Sequence, residues 1–134
     1  MSKAETYILA DTTVWIEYFR GNAPESVLES LILDGKVWTC GPVLFELLQG
    51  VRSPKQKEAV KNAFEGLPYV EMSTALWEQA AEIYMSLRKS GITVPLSDLF
   101  IAVIAIEHNL AVFTLDKHFA QIPGVRLYPA PHTS

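Results

Sequence analysis

The sequence predicts an α/β fold, a layered sandwich around a central, mainly parallel sheet, and three observations lead there. Short apolar runs rich in β-branched and aromatic residues recur at Tyr7 to Ala10, Val37 to Cys40, Tyr69 to Glu71, Ala111 to Thr114 and Val125 to Tyr128, which gives each of them strand character. Stretches of helical pattern separate these runs, so strands and helices alternate along the chain. The runs "YILA" and "AVFT" show no polar alternation, as expected when helices cover both faces of a parallel sheet, and the crossovers between such strands are right-handed.

In chain order, the first strand "YILA" runs directly into Asp11 and then into an amphipathic helix over Thr12 to Arg20. "NAPE" supplies a capping side chain, a first-turn proline and a Glu three residues after the cap, and so opens a second helix over Pro24 to Asp34. The strand "VWTC" ends in Cys40, the only cysteine, which reads as a small buried thiol; no internal disulfide or Cys-based zinc knuckle can be built from it. A third helix is expected over Val43 to Gly50. "SPKQ" repeats the capping signature and opens a fourth over Pro54 to Leu67. Leu76, Ala80, Ile83, Tyr84 and Leu87 form an apolar stripe at helical spacing within Thr74 to Ser90, and Gly91 is placed to end that helix. In the last helix, Ser97 to Asn109, nearly every position through Ile106 is apolar, so neighbours should pack on several of its sides.

A chain of 134 residues suits one domain, here 1–134 with a loose tail from about residue 129. Apolar residues make up 49% of it, enough for a sizeable core with some apolar surface left for a partner. The opening "MSKAETYILA" lacks the apolar core of a signal peptide, and the apolar run Leu99 to Ile106 is too short to span a bilayer, so a soluble, cytoplasmic protein with no membrane role is expected. The net charge of −4 looks unfavourable for binding nucleic acid. However, 15 acids against 11 bases leaves a surplus of 4, and a site gathering four carboxylates around cations would leave the rest of the surface balanced.

Ligands of open parallel sheets bind at the carboxyl ends of the strands. Asp11 follows the first strand directly and Asp116 lies two residues beyond "AVFT"; on neighbouring strands about 4.8 Å apart, both would point into one crevice. Asp98 opens its helix, where the dipole tolerates negative charge. Glu46 is the only charged residue in "GPVLFELL", and the apolar residues flanking it leave little room for a solvated face. Each acid alone has an ordinary role: helix N-cap for Asp11, helix start for Asp98, turn for Asp116, solvation for Glu46. Together they fall where a strand-end crevice would gather them, and gathered carboxylates repel one another unless a hard dication sits among them. Glu107, nine residues from Asp98 and about 13 Å along the helix, is too far away to share such a site, and Glu17 is turned away from Asp11.

With "DTTVWIEYFRG", "FELLQG" and "PLSDLFIAVIAIEHNLAVFTLDKHF" in this order, the chain resembles the PIN-domain family, specifically its VapC-type ribonuclease toxins, over residues 6 to 128. The resemblance implies a three-layer sandwich with strand order 3-2-1-4-5, RNA cleavage dependent on Mg2+ or Mn2+, a homodimer and a cognate VapB-type antitoxin. It also implies that Asp11, Glu46, Asp98 and Asp116 are the catalytic and metal-binding acids, with Thr114 in support. Where many relatives read T-x-D-x-D-F this chain reads "TLDKHF", so His118 replaces an acid, which leaves one or two metals open; it could contact phosphate or a water, but a lone exposed histidine without metal-like spacing is more often a surface residue. His108 and His132 read as structural or incidental.

On this reading a water attacks the phosphodiester in line and leaves a 5′-phosphate and a 3′-hydroxyl. Arg20, Lys117 and the group Arg52, Lys55, Lys57 and Lys61 are candidates for holding RNA, although solvated helix faces account for them equally well. Trp15, Tyr18 and Phe19 could stack on bases but more commonly pack in a core or against a partner. Two other acidic-site designs are disfavoured: a receiver domain needs an acidic pair after the first strand and an Asp after a middle one, and an aspartyl-phosphate hydrolase needs a second Asp where Thr13 stands. The remaining alternative is a non-catalytic PIN-like module that binds RNA or protein without cutting.

Overall fold

A computed structural model describes residues 6–21 and 25–129. Its elements are β1 (Ile8–Ala10), α1 (Thr12–Phe19), α2 (Glu25–Leu33), β2 (Val37–Cys40), α3 (Gly41–Gln49), α4 (Pro54–Phe64), β3 (Tyr69–Val70), α5 (Thr74–Lys89), α6 (Leu96–Glu107), β4 (Ala111–Phe113), a 3-10 helix (Lys117–Gln121) and β5 (Leu127–Tyr128). The five strands form one sheet in the order 3-2-1-4-5, and every neighbouring pair is parallel. The expected "NAPE" cap, the tail beyond Pro129 and His132 lie outside the described residues. Among those described, no helix is long and apolar enough to cross a membrane.

The central strands are fully covered. Successive side chains of a strand point to opposite faces, yet all three residues of β1 and of β4 are buried, so helices must pack on both sides of the sheet. The most enclosed helix is α6, whose Leu99 and Ile101 to Ala105 are all buried, as its unbroken apolar pattern predicts. It contacts α3, α5, β1, β4 and the 3-10 helix. The α5 stripe also holds: Leu76, Ala80 and Leu87 are buried, with Ile83 and Tyr84 packed against the core.

Local signals set the helix ends. Ser53 accepts a hydrogen bond from the Gln56 N–H at 3.1 Å, and the Gln56 side chain reaches back to the Arg52 N–H at 2.6 Å, one residue earlier than in the usual capping box. After α5, Gly91 takes φ +77°, and the N–H groups of Gly91 and Ile92 donate to the carbonyls of Arg88 and Leu87, closing the helix in a Schellman turn. Several ends differ from the expected ranges by one to three residues, and two of them have a clear local cause. Helix α3 begins at Gly41 rather than Val43 because Pro42 fits the first turn, and α4 stops at Phe64 rather than Leu67, just before Gly66 turns the chain at φ +87°. The 3-10 helix was not expected at all; at five residues it is too short to leave a periodic pattern.

The pairing that matters most for function is β1 with β4, whose register sets Ala10 opposite Phe113. The chain continues this pairing for one more bond, from the Asp11 N–H to the Phe113 carbonyl at 3.0 Å. Asp11 and Thr114 therefore leave the sheet side by side at its carboxyl edge.

Candidate active site

Asp11 is both a helix cap and a member of the acidic group, two roles that sequence reasoning weighs as alternatives. One carboxylate oxygen, Oδ1, accepts from the Val14 N–H at 3.2 Å and the Thr13 hydroxyl at 2.5 Å; the other, Oδ2, accepts from the Thr114 hydroxyl at 2.6 Å. Thr114 in turn accepts from the Asp116 N–H at 2.8 Å. One hydroxyl thus ties the acid after β1 to the backbone of the acid after β4. Burial pushes the Asp11 carboxyl above the ordinary range, these hydrogen bonds pull it back, and the charge of Asp116 pushes it up again.

Asp116 caps the 3-10 helix by accepting from the His118 N–H at 2.8 Å. That turn folds the His118 ring back over Asp116, with Nδ1 2.6 Å from Asp116 Oδ1 and 3.6 Å from Asp98 Oδ2. Asp98 sits in the first turn of α6, and only 6% of it is exposed. Its carboxyl is raised to about 8, first by burial, then by its hydrogen bond to Asp116, and then by the charges of Asp116, Asp11 and Glu46. Burial acts on Asp116 in the same upward direction, but the His118 N–H, the hydrogen bond from Asp98 and the His118 ring outweigh it and hold this carboxyl below the ordinary range. The two acids behave as a pair, with the proton on Asp98.

Glu46 projects from α3 toward the same place. Its partner is Thr12, whose hydroxyl donates to Oε1 at 2.6 Å. The expectation that its apolar neighbours deny this helix a solvated face needs correction: Val43 and Leu47 are buried, but Phe45 is 70% exposed. Glu46 also stands at the meeting point of two grooves. One, of about 570 Å3, runs along Pro42, Phe45, Met72, Trp77, Leu96 and Phe100. The other, of about 740 Å3, runs between α1, α3 and α4 and includes Phe19, Arg20, Val51 and Arg52.

Asp98, Asp116 and His118 can hold a metal ion: each offers one ligand atom, and these atoms all lie within 4.8 Å of one another. Asp98 Oδ2 is buried without an aligned hydrogen-bond partner among the described residues. A carboxylate oxygen left in that state costs free energy that a cation would recover, so the donor set fits a divalent ion.

A family model described as the PIN domain matches residues 8–125. The chain belongs to the PIN-domain family. Ribonuclease VapC11 of Mycobacterium tuberculosis is 30% identical over 124 residues, covering 88% of this chain and 92% of that protein, which sets the chain among the VapC ribonucleases. Ribonuclease VapC1 of Methanocaldococcus jannaschii is 28% identical over 131 residues, covering 96% of this chain and 91% of the relative. Among solved structures, the DNA-bound VapBC of Salmonella typhimurium matches with a TM-score of 0.75 at 26% identity, over 92% of this chain and 97% of the other.

This PIN domain uses its remaining candidate residues unevenly. Arg20 is exposed, pairs with Glu17 at 3.0 Å and borders the larger groove. Lys117 is exposed on the 3-10 helix, and Lys55, Lys57 and Lys61 are exposed on α4. Trp15 is fully buried against Tyr18, Phe19 and Phe64, so it is a core residue. Burial of Cys40 pushes its thiol up to about 12, in keeping with an inert structural role. His118, which the sequence leaves between a phosphate or water contact and an ordinary surface residue, is part-exposed: its backbone N–H donates to Asp116 and its ring lies against Asp116 and Asp98. Thr12 and Thr13, which the sequence offers as alternative caps of α1, instead hold the Glu46 and Asp11 carboxylates, and "DTT" was the available signal, since hydroxyls directly after a strand-end acid are placed to do so.

Proposed function

We propose that the chain is the toxin of a VapBC-type pair, a metal-dependent endoribonuclease acting as one PIN-like domain, with Asp11, Glu46, Asp98 and Asp116 as its site. What supports this reading is that Asp98, Asp116 and His118 offer ligand atoms within 4.8 Å of one another, that Asp11 and Glu46 lie near enough to act on the charge of Asp98, and that one Asp98 oxygen is buried without a partner among the described residues. In this reading Asp98 and Asp116 hold Mg2+ or Mn2+, Asp11 adds charge behind them, and Thr114 fixes the direction of the Asp11 carboxylate. Such an ion supplies Lewis-acid stabilisation of the phosphodiester and lowers the pKa of a water. Glu46, anchored by Thr12 through one oxygen, orients the attacking water with the other and takes its proton. Attack in line breaks the bond to the 3′ oxygen, which takes a proton from solvent and leaves as a 3′-hydroxyl, and the new bond yields a 5′-phosphate. Arg20 and Arg52 along one groove, and Lys117 beside Asp116, are positioned to hold the backbone of the RNA.

The partner reading rests on the relatives. Solved structures of similar fold are described as VapBC complexes, and this chain exposes Phe45, Trp77 and Leu96 beside Glu46. An antitoxin segment covering that groove would shield the acids and the apolar rim together; a homodimer would bury further apolar surface.

Purified chain incubated with structured RNA tests the enzyme reading. Cleavage should appear with Mg2+ or Mn2+, stop with EDTA, and fall by about 100-fold or more in Asp98→Asn. Cleavage at the parent rate by that variant, or in EDTA, removes the proposed site.

A further inference from the structure

We propose that His118 Nδ1 is itself a ligand of this metal site, completing a donor set of two oxygens and one nitrogen with Asp98 and Asp116 that favours Mn2+ over Mg2+. The inference rests on the metal-dependent reading above and goes beyond it in naming a ligand and a preference. Three observations lead to it. The ligand atoms of the three residues lie within 4.8 Å of one another, and adjacent donors of an octahedral ion with bonds of about 2.1 Å stand about 3 Å apart. The two distances from Nδ1, 2.6 Å to Asp116 Oδ1 and 3.6 Å to Asp98 Oδ2, bracket that value.

The 2.6 Å ion pair with Asp116 Oδ1 does not by itself satisfy the ring. Despite the 2.6 Å separation, Nδ1 is a buried atom with no aligned hydrogen bond among the described residues, and Asp98 Oδ2 beside it is another. Two neighbouring buried atoms without directed partners are each costly. One cation on the shared side of both relieves both, provided Nδ1 offers its lone pair. The His118 N–H bond to Asp116 holds the backbone beside the acids, so that the ring starts from a position next to them.

The preference follows from the donor. Mg2+ is a hard ion that selects oxygen and dehydrates reluctantly, whereas an imidazole nitrogen suits first-row transition ions. Replacing one anionic oxygen by a neutral nitrogen also lowers the charge of the site, which weakens an interaction with Mg2+ that is mainly electrostatic.

The test measures binding, not turnover. The full-length chain is titrated with Mn2+ and with Mg2+ by calorimetry at fixed pH, alongside His118→Asp, which restores an oxygen, and His118→Gln. Electron spin-echo spectra of the Mn2+-loaded parent should carry modulation from a coordinated 14N nucleus. His118→Asp should lose that modulation and shift the Mn2+ to Mg2+ affinity ratio toward Mg2+ by about 10-fold or more. Mn2+ bound without nitrogen modulation, or an unchanged ratio in folded His118→Asp, overturns the ligand assignment and leaves the metal-dependent reading intact. If the parent binds neither ion, both fall. The spectrum of the parent decides the question even if a variant fails to fold.

Discussion

In metal-free protein, Asp98→Asn should flatten the decline of stability between pH 5 and pH 7, leaving the part contributed by Asp11, whose pKa is also raised. The folded-state pKa of Asp98 is raised from an ordinary 3.8 to about 8. Between those values the native state keeps a proton that the unfolded chain has released. Stability is therefore greatest below the unfolded pKa and declines as the pH rises, at about 1.4 kcal/mol per pH unit for one such group. Over two units near the middle of the window this amounts to a few kcal/mol. Asp116 does not offset it: its lowered pKa gives stability that is lost only in acid, below this range. An asparagine resembles the protonated carboxyl in shape and charge, so the variant should keep the low-pH stability and show a flatter profile. Urea denaturation in EDTA at pH 5, 6 and 7 measures both curves. Parallel curves for parent and variant would refute the claim that Asp98 carries the proton. Saturating Mn2+ should steepen the contrast in the opposite sense, because an ion that replaces the proton stabilises the parent most at higher pH.

Thr114→Val keeps the shape of the side chain and removes the hydroxyl that Asp11 Oδ2 and the Asp116 N–H share. A loss of about 1.5–3 kcal/mol is expected in urea melts, as for a hydrogen bond to a charged group, and a loss under about 0.5 kcal/mol would show that Thr114 does not anchor Asp11. Gly91→Ala isolates a backbone cost, since the added Cβ meets nothing within 4 Å at φ +77°. Thermal unfolding should show a destabilisation of about 1–2 kcal/mol, and an unchanged midpoint would count against the Schellman closure of α5.

Much of this architecture was legible because it rests on local pattern. The unbroken apolar run of α6, the stripe of α5 and the non-alternating β1 and β4 each report burial on one or more sides, and burial of both sheet faces allows few topologies. The acids were legible as strand-end and helix-start residues. What escaped depends on distant contacts. The cover over Trp15 includes Phe64 from α4, and no periodicity within α1 reveals it. His118 reads as a lone surface residue until the 3-10 turn brings it onto Asp116, two residues away in sequence, and α6 brings Asp98 to its other side. Capping and chelation looked like rival roles for Asp11. A carboxylate has two oxygens, and here Oδ1 serves the helix while Oδ2 faces β4.

The position of β1 has a consequence for biosynthesis. Among the described strands, β1 comes first in the sequence and lies at the centre of the sheet, and its Asp11 is braced by a residue 103 positions later in the chain. A ribosome must therefore translate past His118 before Asp11, Asp98 and Asp116 can meet. The acidic group can thus assemble only after the residues of all six α-helices among the described residues have been translated.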